Sequence, residues 1–134
     1  FVKMVHNGIE YGMMQSIAEG FQIMEKSPYK LDLLNVAKIY NNGSVVESRL
    51  TKWLEQSFEK YGTDLKDLSG AVGFNGEGEW TALVGEDMKL DVRDIRGAVE
   101  FRKESQKKPS FAGKVLTAMR NAFGGHSIEK GKMT

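Results

Sequence analysis

The sequence predicts an all-α fold, a multi-helix bundle that begins with a long first helix and ends in an extended C-terminal tail. Three observations predict it. Apolar residues recur at mostly three- and four-residue steps, as in Val5, Ile9, Met13, Ile17 and Met24, which is the helical period. The apolar-polar alternation of strands is nearly absent. The two prolines, Pro28 and Pro109, fall in polar stretches where a helix can stop or start.

Taken in order, the first helix runs over residues 2–26, a length unusual for a small domain. Residues 31–40 make a second helix, closed by the stop signal Asn41-Asn42-Gly43. Ser44 then caps a third helix that carries Val45, Val46, Leu50, Trp53, Leu54, Phe58 and Tyr61 and ends at Gly62. Residues 64–68 suit a short helical turn, and residues 70–78 form a glycine-rich connection. Helices over 80–88, 92–105 and 111–123 bring the expected number to six or seven. From Gly124 onward the chain is polar and glycine-containing, as expected of an extended tail. No repeat or low-complexity segment interrupts this pattern.

Composition narrows the classes of function. With 134 residues and 40% apolar content, one compact core is the expectation. The 19 Lys and Arg against 18 Asp and Glu supply no basic field for nucleic acid or an anionic membrane, so any cationic site must be local. Without cysteine there is no disulfide framework or thiolate metal site. The two histidines, His6 and His126, stand far apart in sequence, so no metal is expected. No apolar run reaches the 18 or so residues of a membrane span, and the first residues lack the layout of a signal peptide. A soluble, cytoplasmic protein is expected.

At about 100° per residue, Lys3, His6, Asn7, Glu10, Tyr11 and Met14 fall within an arc of roughly 140° on the first helix, with Val2, Val5, Ile9 and Met13 largely opposite. The arc mixes an amine, an imidazole, a carboxamide, a carboxylate and a phenol, a set suited to a polyhydroxylated anion. Lys3 and Glu10 lie seven residues apart, about 10 Å along the axis, enough to address different carbons of one extended sugar acid as base and acid. Spacing alone does not overturn the plainer reading of a solvated polar face.

The run Phe1-Val-Lys-Met-Val-His-Asn-Gly-Ile-Glu-Tyr11 resembles the substrate-binding signature of the 6-phosphogluconate dehydrogenases. The likeness extends along the chain. Tyr40-Asn-Asn-Gly-Ser-Val-Val-Glu-Ser-Arg-Leu50 is similar to a helix junction of that family, particularly in its shorter, single-repeat branch. Gly76-Glu-Gly-Glu-Trp-Thr81 is similar to its glycine-rich loop, and Arg120-Asn-Ala-Phe-Gly-Gly-His126 to its C-terminal motif. Counted without gaps from Trp80-Thr81, Arg102 falls where the family has a phosphate-binding arginine, followed by a serine at Ser105. One departure stands out: Asn75 replaces a lysine of the long-chain members, with Glu77 and Glu79 after it.

The resemblance implies oxidative decarboxylation of 6-phospho-D-gluconate to ribulose 5-phosphate, a step of the pentose phosphate pathway and gluconate utilization, with a hydride passing to NAD or NADP. It implies that Lys3 takes the C3 hydroxyl proton and then, as an ammonium, polarises the ketone while carbon dioxide leaves, after which Glu10 protonates C1 of the resulting five-carbon enediol. His6 and Asn7 would hold hydroxyl and carboxylate groups, Asn7 also touching the nicotinamide. Tyr11, Arg102 and Arg120 would bind phosphate. It further implies a homodimer in which Arg120 and His126 enter the partner's site. Phe111, Val115, Leu116, Met119 and Phe123, together with the long first helix, offer apolar surface for such pairing.

No dinucleotide fingerprint accompanies these residues. Gly76-x-Gly78 would need a glycine at position 81, where Thr81 stands, and no βαβ unit surrounds it. The coenzyme domain is therefore expected before this chain, which by itself should be inactive. Two alternatives remain. Another β-hydroxyacid dehydrogenase, such as a 3-hydroxyisobutyrate type, shares the lysine and the asparagine four residues on, but is less similar at His6, Glu10-Tyr11 and the Arg120 to His126 tail. A noncatalytic helical dimerisation module is the other.

Overall fold

The computed structural model describes residues 1–74 and 76–124, and among them every regular element is helical. The order is α1 (Val2–Lys26), α2 (Leu33–Tyr40), α3 (Arg49–Tyr61), α4 (Glu77–Asp87), α5 (Arg93–Ser105) and α6 (Phe111–Gly124). The all-α expectation is met, with the long first helix in place. Pro28 follows α1 and Pro109 precedes α6, the two breaks expected of them.

Local chemistry moves several boundaries. Asp32 caps α2, its carboxylate accepting from the Leu34 and Asn35 amides at 3.1 and 3.4 Å, so Leu31 stays outside the helix. Ser48 rather than Ser44 caps α3, accepting from the Thr51 amide at 3.2 Å. Ser44 donates instead to the Tyr40 carbonyl and accepts from the Val46 amide, a local turn that keeps Val45 and Val46 exposed and non-helical. Gly62 closes α3 at φ +86°, a conformation glycine adopts without a Cβ penalty. Residues 64–68 are turns rather than helix, with Leu65 at φ +49°. Glycine 76 sits at φ +91° as the N-cap of α4, which begins three residues before the expected Trp80.

The core joins four helices. Phe21 and Ala18 of α1, Leu33 and Ala37 of α2, Leu54 and Phe58 of α3, and Val115, Leu116 and Met119 of α6 are buried together with Leu65, Leu68 and Val72. Fully burying side chains of this size contributes about 1.5–3 kcal/mol each. Three of the residues expected to supply a pairing surface, Val115, Leu116 and Met119, are thus already used inside the chain.

An apolar stripe normally marks the side a helix turns to its core. In α1 the stripe divides: Ile17 and Met24 pack against the core, whereas N-terminal apolar residues turn outward. Val2, Ile9 and Met13 are 82%, 52% and 45% exposed, while Gly8, Tyr11, Met14, Gln15, Ala18 and Phe21 face inward. Close contact with α4 explains the turn. A Cβ at Gly8 would stand 2.5 Å from Thr81 Cγ2, and one at Gly78 would stand 2.6 Å from the Tyr11 ring. Only glycine at these two positions permits the approach.

The connection from α3 to α4 is pinned as well. Ser105 Oγ accepts from the Val72 amide at 2.9 Å and Gln106 Nε2 donates to the Val72 carbonyl at 2.8 Å. Thr117 Oγ1 donates to the Ser69 carbonyl at 2.9 Å. These bonds satisfy the loop's backbone and fix it against α5 and α6.

Candidate active site

The first three turns of α1 carry a graded set of polar groups. Lys3 and His6 are exposed, Asn7 and Glu10 half-buried, and Tyr11 buried. His6 Nδ1 lies 3.4 Å from Glu10 Oε1, a pair four residues apart on one helical face. The Thr81 hydroxyl donates to the Met4 carbonyl at 2.6 Å and also lies 3.2 Å from the carbonyl of Glu77. α4 thereby grips the turn that bears Lys3.

Deeper in, Arg102 in the last turn of α5 is only 2% exposed. Its guanidinium stands 3.7 Å from the centre of the Tyr11 ring. Nη1 donates to the Gly73 carbonyl at 3.2 Å and Nη2 to the Met14 sulfur at 3.6 Å. Among the described residues no carboxylate lies within ion-pair distance of it. The other cations of α5 behave differently: Arg93 pairs with Asp91, Arg96 with Glu79, Glu86 and Glu100, and Lys103 with Glu79. Glu86 foremost and then Glu100 raise the Arg96 pKa, and Lys103 lowers that of Glu79.

Burial pulls the Arg102 pKa down to about 10, with Tyr11 opposing, the Arg120 charge adding to the drop, and Glu10 opposing more weakly. Burial also lowers the Arg120 pKa, again opposed by Tyr11. These mutual effects place Tyr11, Arg102 and Arg120, from α1, α5 and α6 of one chain, in a common electrostatic environment. Within one chain, therefore, the Arg120 charge already bears on Arg102 and Tyr11. His126 and Asn75 lie outside the described residues.

The helical face and the Arg102 position were legible in the sequence, whereas Met14, Gly73, Thr81, Gly8 and Gly78 were not assigned parts in the site. The glycines at 8 and 78 were the available signal, since a helix interior disfavours glycine unless another chain segment must come close. The residues present make no dinucleotide site: there is no βαβ unit among the described residues, and Gly78 is spent on the Tyr11 ring. No cluster of three or more His, Asp or Glu suited to a metal occurs among the described residues. Nor is any described helix long and apolar enough to cross a membrane. A groove of about 460 Å³ lies across α1 from the polar arc, among Ile9, Met13, Ile17, Val45, Val46 and Ile95.

Residues 1–112 match the family described as 6-phosphogluconate dehydrogenase, C-terminal domain, a span that includes Lys3, Glu10 and Arg102 and stops short of Arg120. The chain is 42% identical over 130 residues to YqeC of Bacillus subtilis, covering 97% of this chain and 43% of that protein. It is 35% identical over 130 residues to an NAD(+)-dependent, decarboxylating 6-phosphogluconate dehydrogenase of Haloferax volcanii, covering 97% of this chain and 44% of the relative. Against a decarboxylating 6-phosphogluconate dehydrogenase of Saccharomyces cerevisiae it is 37% identical over 96 residues, 67% of this chain and 19% of the relative. The chain therefore spans less than half the length of these relatives. A helical bundle opening on Lys3, His6, Asn7, Glu10 and Tyr11, matched over most of its length, belongs to the 6-phosphogluconate dehydrogenase C-terminal domain family.

Proposed function

We propose that this chain is the substrate-binding, catalytic helical domain of a decarboxylating 6-phosphogluconate dehydrogenase, acting in the pentose phosphate pathway of the cytoplasm. The observation that carries this reading is Arg102, a buried cation without a carboxylate partner, next to Tyr11 and below the polar turns of α1. A buried charge is costly unless something offsets it. A phosphate held between Arg102, Arg120 and the Tyr11 hydroxyl supplies that offset, with charge-assisted and bidentate bonds available from the arginines.

From Tyr11 to Lys3 the helix rises about 12 Å, room for an extended six-carbon sugar acid with its phosphate at Tyr11. Its carboxylate end then meets Asn7, His6 and Lys3. Lys3 accepts the C3 hydroxyl proton as the alcohol is oxidised, and its ammonium polarises the new ketone so that the C1 to C2 bond breaks and carbon dioxide leaves. Glu10, oriented by His6, then protonates the former C2, which is C1 of the five-carbon enediol. NAD or NADP supplies hydride acceptance when bound, held mainly by parts of the full-length protein outside this chain, with Asn7 beside the nicotinamide. A homodimer completes the site: His126 comes from the partner, and the outward stripe of Val2, Ile9 and Met13 is apolar surface for the second copy. The 134-residue chain alone is inactive on this reading.

The test uses the full-length protein with 6-phosphogluconate and 3-hydroxyisobutyrate, each with NAD and with NADP, following nicotinamide reduction and carbon dioxide release. Turnover is expected with 6-phosphogluconate. Lys3→Met is expected to reduce it by about 10²–10⁴-fold while the melting temperature stays unchanged, because Lys3 is an exposed base rather than a packing residue. Preference for 3-hydroxyisobutyrate, or near-normal turnover by Lys3→Met, overturns the assignment.

A further inference from the structure

We infer that Met14 is a positioning residue for Arg102, its thioether orienting the guanidinium through a neutral acceptor so that the full positive charge stays available to a phosphate. This rests on the reading of Arg102 as a phosphate ligand. Arg102 is bounded by three electron-rich groups, none of which carries charge at neutral pH in its ordinary form: the Gly73 carbonyl at 3.2 Å, the Met14 sulfur at 3.6 Å and the Tyr11 ring at 3.7 Å. Met14 is 4% exposed and lies one turn from Tyr11 on the same side of α1, so both partners of the guanidinium ride on the helix that bears Lys3 and Glu10. The thioether therefore ties the phosphate end of the site to its reacting end.

The sulfur stands where a Glu or Asp side chain would form the usual buried pair. A carboxylate there would hold Arg102 more firmly and also compete with phosphate for it. The other cations of α5, exposed Arg93 and half-buried Arg96 and Lys103, do take carboxylates. The difference thus follows position, and the thioether separates orientation of the arginine from neutralisation of it. The Gly73 carbonyl makes the same provision at Nη1, its loop held by Ser105 and Gln106 through Val72.

The test measures kcat and KM for 6-phosphogluconate, and the affinity for inorganic phosphate, in full-length Met14→Gln, Met14→Leu and Met14→Glu. Glutamine keeps a neutral acceptor of similar reach and should remain within about threefold of wild type in both constants. Leucine keeps the volume without the acceptor and should raise KM about tenfold with kcat within about twofold. Glutamate should weaken phosphate affinity by about a hundredfold while leaving affinity for unphosphorylated gluconate unchanged. If glutamine and leucine behave alike, the acceptor has no part and the inference fails. Should Met14→Glu not fold, the Gln against Leu contrast decides alone. Arg102→Leu separates the layers: unchanged KM in that variant refutes the phosphate reading itself, whereas a large rise with silent Met14 variants refutes only the role of Met14.

Discussion

The two halves of α1 are held by different physics. Its C-terminal half is held by area: Phe21 packs against Phe58 at 5.8 Å between ring centres and against Tyr40 at 6.0 Å, within the main apolar core. Its N-terminal half is held by fit. Gly8 against Thr81, Gly78 against Tyr11, and a hydroxyl on the Met4 carbonyl fix the helix there, and the small apolar cluster nearby consists of Tyr11, Ala98 and Val99. Area holds a helix without specifying each atom, whereas close contacts specify position while leaving polar side chains free for chemistry. Met14 joins the two, since it belongs to the main core and also accepts from Arg102.

Breaking the area-held half should cost the most stability. Phe58→Ala is expected to destabilise the full-length protein by about 3–5 kcal/mol, measured by urea denaturation, a large part of a typical 5–15 kcal/mol total. KM for 6-phosphogluconate in the remaining folded protein should stay near wild type. A loss below about 1 kcal/mol would show that the core is not where this half gains its stability.

Disturbing the fitted half should cost less stability and more function. Gly78→Ala places a methyl group 2.6 Å from the Tyr11 ring, so ring or helix must shift, for about 1–3 kcal/mol of strain. KM should rise with it, because the Tyr11 ring is what stacks on Arg102. An unchanged KM would erase the distinction between the two halves.

The sequence made some of this legible and hid the rest for identifiable reasons. Helix number and most boundaries followed from periodicity, prolines and stop signals, and the polar arc from Lys3 to Tyr11 followed from helical geometry. The direction in which the N-terminal half of α1 faces did not follow, because Val2, Ile9 and Met13 point outward there and two glycines set the inner side. The start of α3 was misplaced since Val45 and Val46 look helical in pattern, while the Ser48 hydroxyl makes the cap. Arg102 sits in the run Arg-Lys-Glu-Ser, which reads as a solvated face, and only the family likeness singled it out. Its burial brings it against Met14 of α1 and the Gly73 carbonyl, contacts remote in sequence. The same remoteness hid Thr81, whose partner Met4 lies 77 residues away.

The central claim is that buried Arg102 exists to receive a phosphate. The drop of its pKa to about 10 corresponds to roughly 3 kcal/mol, a cost to the folded state at neutral pH that persists below pH 10 and fades as the solution approaches an arginine's ordinary pKa. Such a residue is not retained for stability, so Arg102→Leu should fold at least as well as wild type. The most direct measurement is calorimetric titration of full-length wild type and Arg102→Leu with 6-phosphogluconate and with gluconate at neutral pH. Wild type should bind the phosphorylated acid at least about a hundredfold more tightly, and Arg102→Leu should lose most of that preference. Equal affinity for the two acids in wild type, or an undiminished preference in a well-folded Arg102→Leu, would contradict it.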